Sequence, residues 1–298
     1  MKLATTTGDF SAYTTSQKES IDHIREAGFK YADYNFGTDY TRRTGIYGVD
    51  WKEYLLDLKA HADDIGISFV QAHSPMGKPL AGDEAFMHDT LRTIESCHIL
   101  GIHNLVVHSG YLMHISKEEC FEKNRAFFMV LLKEAEKYGV NILVENFNKM
   151  HVDGMYWIDN APDLRALIDY VDHPLFHAVW DAGHANMQDM PEDEGLRILG
   201  SHVYALHVQD NMGEKDVHLA PMFGTMNIDS LMHGLIDIGY KGYFTFEAGS
   251  VFLGGAHKRP FEKDSRLLKP SLALRKKAES LLYDIGKWVL ESYGMFEE

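Results

Sequence analysis

Short apolar runs rich in β-branched or aromatic residues recur along this chain at intervals of about 27 to 40 residues, and that spacing constrains the fold more than any other feature. The runs fall at Lys2–Thr6, Tyr31–Phe36, Ser68–His73, Asn104–His108, Asn141–Glu145, Phe176–Asp181, Val203–His207 and Tyr243–Glu247. Each interval has room for a helix, and the helical patterns that fill them have readable starts. Ser16-Gln-Lys-Glu19, Asp50-Trp-Lys-Glu53 and Ser116-Lys-Glu-Glu119 resemble capping boxes, and Asn160-Ala-Pro162 places proline in a first turn. Gly28, Gly66, Gly101, Gly139 and Gly239 stand just ahead of the next run, where a left-handed C-cap ends a helix. Eight such units with no shift in composition predict a (β/α)8 TIM barrel, a single domain over residues 1–298. The pattern leaves a long aperiodic loop or lid at about 249–269 and a closing amphipathic helix at about 271–293. Leu272, Leu274, Leu281, Leu282, Ile285, Trp288 and Val289 are the apolar contacts expected of that helix.

Four of the runs end on a group unsuited to a core. Glu145, Asp181, His207 and Glu247 close NILVE, HAVWD, YALH and YFTFE. A carboxylate at the end of a buried strand costs several kcal/mol unless a positive partner neutralises it. Oxygen and imidazole groups from separate strands suit a divalent cation such as Mn²⁺, Mg²⁺, Co²⁺ or Zn²⁺. Barrel active sites lie at the carboxyl ends of the strands, so position and chemistry agree. The same rim gathers His73, His108, His184, Asp216 and His218. Trp180 and Phe147 flank proposed ligands as pocket walls or ordinary core. Glu192-Asp-Glu194 reads as a solvated helix start, and His23, His61, His88, His98 and His233 in helical patterns carry no assigned role.

Composition removes several alternatives. A formal charge of −15 argues against a nucleic-acid partner, which calls for a basic stripe. There is no GxGxxG or P-loop, hence no nucleotide cofactor, and no GxSxG elbow. No stretch reads as a secretory signal or a membrane span, and Cys97 and Cys120 have no zinc-site spacing. A reducing cytoplasmic setting is expected.

At LVEN, WDAGH, ALHVQDN, Asp216-Val-His-Leu-Ala-Pro221 with Gly224, and GYKGYFTFE, the chain resembles the xylose-isomerase-like barrel superfamily, in particular its sugar phosphate isomerase/epimerase members. The resemblance runs from about Leu3 to Gly249. It implies one divalent metal on Glu145, Asp181, His207 and Glu247, a small sugar or polyol substrate, and a homo-oligomer. The ketose 3-epimerase branch implies further that Glu145 and Glu247 move protons on opposite faces of the substrate carbon while His184 contacts the sugar; His73, His108, Asp216 and His218 complete the expected substrate contacts. The chain departs from that branch at His151 and Gly213, where a glutamate and an arginine stand in the 3-epimerases. Aldose–ketose isomerisation and keto-inositol dehydration are compatible with the same residues.

The endonuclease IV branch is the rival, with nine ligands for three zinc ions. His73, His108, Glu145, Asp181, His184, His207, Asp216, His218 and Glu247 match those ligands in type and order. Val217 stands where that branch carries an arginine, and basic loops for DNA are lacking. A non-catalytic metabolite-binding barrel would be expected to lose a carboxylate ligand, and none is lost.

Overall fold

The computed structural model describes residues 1–148, 158–188, 190–250 and 270–298. Eight parallel strands, β1 (Leu3–Thr6), β2 (Tyr31–Asn35), β3 (Ser68–His73), β4 (Asn104–Val107), β5 (Asn141–Glu145), β6 (Phe176–Asp181), β7 (Val203–His207) and β8 (Phe244–Phe246), pair in sequence, with β8 beside β1. A parallel bridge from Val208 to Phe246 nearly closes the ring between β7 and β8. The chain is thus a single-domain (β/α)8 barrel. Outside it run α1 (Gln17–Glu26), α2 (Phe36–Arg42), α3 (Trp51–Ile65), α4 (Glu84–Leu100), α5 (Lys117–Tyr138), α6 (Ala161–Val171), α7 (Ala182–Asn186), α8 (Glu192–Leu199), α9 (Ile228–Asp237) and α10 (Leu272–Ser292).

Local signals act largely as expected. The hydroxyls of Ser16 and Ser116 accept from the amides of Glu19 and Glu119, and Asn160 caps α6. All five anticipated glycines adopt positive φ. Asp50 is a correction: its side chain makes no capping bond, because its backbone (φ −97°, ψ 38°) lies outside the extended region a cap requires. The expected strand at Tyr31–Phe36 also ends one residue early, and Phe36 opens α2 behind an Asn35 cap.

The closing helix has the expected extent, yet Leu272, Leu274, Leu281 and Trp288 are exposed. The buried stripe comprises Arg275, Ala278, Glu279, Leu282, Gly286, Val289 and Leu290, which recur at helical spacing. Gly286 sets that phase: a Cβ there would lie 2.6 Å from the Phe246 ring, so the helix crosses the barrel at its least bulky residue. The greater part of the anticipated 249–269 loop, like His151, lies outside the described residues. No helix among the described residues is long and apolar enough to cross a membrane.

Candidate metal centre

Side chains alternate across a strand, so residues two apart share a face. Val106, Leu143, Val179 and Ala205 pack together as a separate small cluster. Two residues further along β4 to β7 stand His108, Glu145, Asp181 and His207, one layer nearer the carboxyl rim. Strand periodicity therefore stacks an ionisable layer on an apolar floor, and all four upper residues are buried.

Glu145, Asp181, His207 and Glu247 each offer a ligand atom, and these atoms lie within 4.8 Å of one another. His207 Nδ1 is 2.7 Å from Glu145 Oε1 and 3.6 Å from Glu247 Oε2. Its Nε2 faces Asp33 Oδ2 at 3.1 Å. Asp33 fixes the imidazole ring and leaves Nδ1 as the nitrogen available to a cation, the arrangement common behind metal-ligating histidines. Burial disfavours a charged His207, but Glu247 and Glu145 outweigh it and hold its pKa well above the usual value. Burial likewise opposes ionised Glu145, and His207 overcomes it, lowering the carboxyl pKa well below normal. Burial pushes Asp181 up to about 7 against the pull of His184.

Two oxygens test whether this set fits a cation. Glu145 Oε2 and Asp181 Oδ2 are buried and make no well-formed hydrogen bond among the described residues; their nearest imidazole nitrogens, His108 Nε2 and His184 Nδ1, stand off at 3.4 and 3.6 Å. Such orphaned acceptors are costly unless something positive meets them. A divalent ion held by oxygen and imidazole donors answers that need, so the residues fit one.

The remaining predicted residues fall into two flanking groups. His73 and His108 gather with Glu145, their Nε2 atoms 3.1 Å apart. His73 Nδ1 donates to the Ser74 carbonyl at 2.7 Å. Burial lowers the His108 pKa to about 3, keeping that ring neutral. On the other side His184 and His218 bracket Asp216, with His184 Nε2 3.0 Å and His218 Nε2 3.2 Å from its carboxylate. His184 Nδ1 donates to the Asn146 carbonyl at 2.9 Å. Burial resists its charge, yet Asp181 and Asp216 raise its pKa to about 10, leaving an imidazolium.

Several functional residues were not singled out in the sequence. Asp33 orients His207, and Gln71 Nε2 supports Asp33 at 2.9 Å. Gln209 spans Asp181 and Asp216, while Asn148 also reaches Asp216. Asp210 is buried and accepts the amides of Asn211, Met222, Gly224 and Met226, pinning the loop that carries Asp216 and His218. Gly224 is required there, since a Cβ would meet the Asn211 carbonyl oxygen at 2.2 Å. One available signal was the polar residue at interior spacing in a β-branched or aromatic run, as in YADYN. Phe147 does line the cleft, whereas Trp180 is core and donates to Glu192 at 2.7 Å. That bond corrects the expectation for Glu192, which is buried at the start of α8 rather than solvated.

A cleft of about 220 Å³ opens over these groups, reached by Asn35, Gly37, Met76 and Phe147. Strand-end carboxylates and imidazoles thus face one cleft at the carboxyl rim of the barrel. The family model described as xylose isomerase-like TIM barrel matches residues 21–270, and the chain belongs to that family. The uncharacterised protein MJ1311 of Methanocaldococcus jannaschii is 25% identical, covering 84% of this chain and 87% of that protein. Fructoselysine 3-epimerase of Escherichia coli O157:H7 is 28% identical over 41% of this chain and 44% of that protein. The crystal structure of D-psicose 3-epimerase in the presence of D-fructose superposes with a TM-score of 0.73 at 17% identity, covering 97% of this chain and 99% of that one.

Proposed function

We propose that the protein is a divalent-metal-dependent sugar isomerase/epimerase acting on a ketose or keto-polyol. The observation that carries the proposal is the convergence of Glu145, Asp181, His207 and Glu247 with two orphaned carboxylate oxygens at the rim. The similarity to fructoselysine 3-epimerase supports the reaction class. These four residues would hold the ion. When bound, it would polarise the substrate carbonyl and stabilise negative charge developing beside it. Glu145 and Glu247 take the acid and base roles, one withdrawing the proton next to the carbonyl and the other returning it from the opposite face. His184, charged and fixed by Asn146 and Asp216, places its positive charge beside the substrate oxygens. His73, His108, Asp216 and His218 complete the walls that orient the sugar. A homo-oligomer belongs to this reading on family resemblance alone, and a cytoplasmic setting on the two cysteines and their lack of zinc-site spacing.

The test is exchange in D₂O. Across a panel of ketoses and keto-polyols, the wild type incorporates deuterium next to the carbonyl of its substrate. Glu247→Gln should lose turnover by roughly 10²- to 10⁴-fold while keeping its melting temperature. Full activity in that variant would sink the proton-transfer assignment.

One observation favours a second reading: the nine residues fall into three potential cation groups, and Glu145 belongs to two of them. A trinuclear zinc phosphodiesterase would use all three. The charge of −15 opposes a DNA substrate, and an abasic-DNA cleavage assay separates the two readings.

A further inference from the structure

We infer that the substrate is not a free monosaccharide but a ketose or keto-polyol carrying a second, uncharged polyhydroxylated unit, such as a glycosidically linked sugar ring. This inference rests on the isomerase/epimerase reading above. The cleft has two lobes. The inner one, about 220 Å³, holds the carboxylate and histidine groups. A second lobe of about 580 Å³ lies over the ends of β1 and β2, with Thr6, Gly8, Ser11, Thr38 and Thr41 in its lining. Asn35, Gly37, Met76, His218 and Glu247 line both lobes, so the space is continuous past the proposed proton-transfer carboxylate. The inner lobe alone falls below the roughly 300–1,000 Å³ of ordinary small-molecule sites, and the outer lobe brings the cleft into that range.

The chemistry of the outer lobe is that of a hydroxyl-rich guest. Its charged groups are already engaged: Asp9 lies 3.0 Å from the buried Arg275 guanidinium, and Arg42 Nη2 donates to the carbonyls of Ser11 and Thr14. Hydroxyls and one amide remain. Asn35 stands at the neck, where its Oδ1 accepts the Thr38 amide at 2.9 Å and so fixes the side chain. Its Nδ2 has no hydrogen bond among the described residues, which leaves a pre-oriented donor. A Cβ on Gly8 would lie 2.9 Å from that nitrogen, and one on Gly37 would lie 3.0 Å from Oδ1. Glycine at both positions keeps the neck open.

The experiment compares kcat/KM for a free ketohexose with that for its 4-O- and 6-O-glucosyl derivatives at one metal loading. A glucosyl ketose should be preferred at least about tenfold, equivalent to about 1.4 kcal/mol. Thr41→Trp, which fills the outer lobe, should cut that preference at least about tenfold, and Thr41→Phe serves if the tryptophan variant folds poorly. Turnover of the free sugar without a glucosyl preference overturns this inference and leaves the isomerase/epimerase reading standing. A preference unchanged in both Thr41 variants overturns the groove assignment. Turnover of none of these sugars overturns this inference, and the deuterium-exchange panel of ketoses and keto-polyols then decides the isomerase/epimerase reading separately.

Discussion

The two halves of the barrel interior are built differently. Beneath the rim of β4 to β7 lies the apolar layer of Val106, Leu143, Val179 and Ala205. Across β8, β2 and β3 the interior is polar: Thr245 donates to Gln71 at 3.1 Å, and Gln71 donates to Asp33 at 2.9 Å. The apolar half gives Glu145 and Asp181 a water-poor floor, where charges act strongly and an ion becomes the natural partner. The polar half orients His207 through a chain of hydrogen bonds linking Thr245, Gln71 and Asp33 to its ring. One half thus supplies affinity for charge, and the other supplies geometry.

That division breaks if stability and activity respond alike in both halves. Leu143→Ala should show the largest effect, a loss of about 2–5 kcal/mol in stability, with metal content per folded chain unchanged; denaturant melts and elemental analysis check both. Asp39 on α2, between the outer-lobe residues Thr38 and Thr41, gives a pH signature. Burial raises its carboxyl to about 6, against hydrogen bonds from Tyr34 and Gln17. The folded chain therefore holds this proton more tightly than the unfolded one. The stabilisation is complete at low pH and is lost as pH rises from about 4 to about 6. The melting-temperature difference between wild type and Asp39→Asn should fall across that window, corresponding to up to about 3 kcal/mol, and stay flat above it. A rising difference would contradict the assignment.

Asp33→Asn should come next, with a roughly 10- to 100-fold loss in metal affinity or turnover, read by metal titration and steady-state kinetics. If its melting temperature falls as far as that of Leu143→Ala, the polar half is structural rather than orienting. The smallest effect is expected at Trp288, exposed on α10: Trp288→Glu should alter monomer stability by no more than about 0.5 kcal/mol, as a thermal melt would record.

The apolar half was legible in the sequence because short-range pattern encodes it. Each of β5 to β7 is a run whose last residue is charged or an imidazole, so the order of elements and three of the four proposed ligands follow from periodicity. Glu247 was equally legible although β8 spans only Phe244–Phe246, since it follows the same alternation beyond Thr245. The polar half was not. Asp33 interrupts YADYN as a polar residue, but it lies where the register of β2 with β3 shifts between Ala32 and Asp33, and that shift, which decides where its side chain points, is not written in the local sequence. Its role also depends on His207, far away in sequence. Asp210 looked like one more loop acid until its four amide partners were seen together. The exposed face of α10 was misjudged for a related reason: leucine content pointed one way, while the close approach at Gly286 set the phase.

The most direct measurement is the metal content per chain by elemental analysis, for the wild type and for Asp181→Asn, both purified without added metal or chelator. A single site on Glu145, Asp181, His207 and Glu247 requires close to one divalent ion in the wild type and a large loss in the variant. Near three ions per chain, chiefly zinc, would contradict the single-site account and turn attention to phosphodiester cleavage; an equal metal content in the two proteins would remove Asp181 from the site.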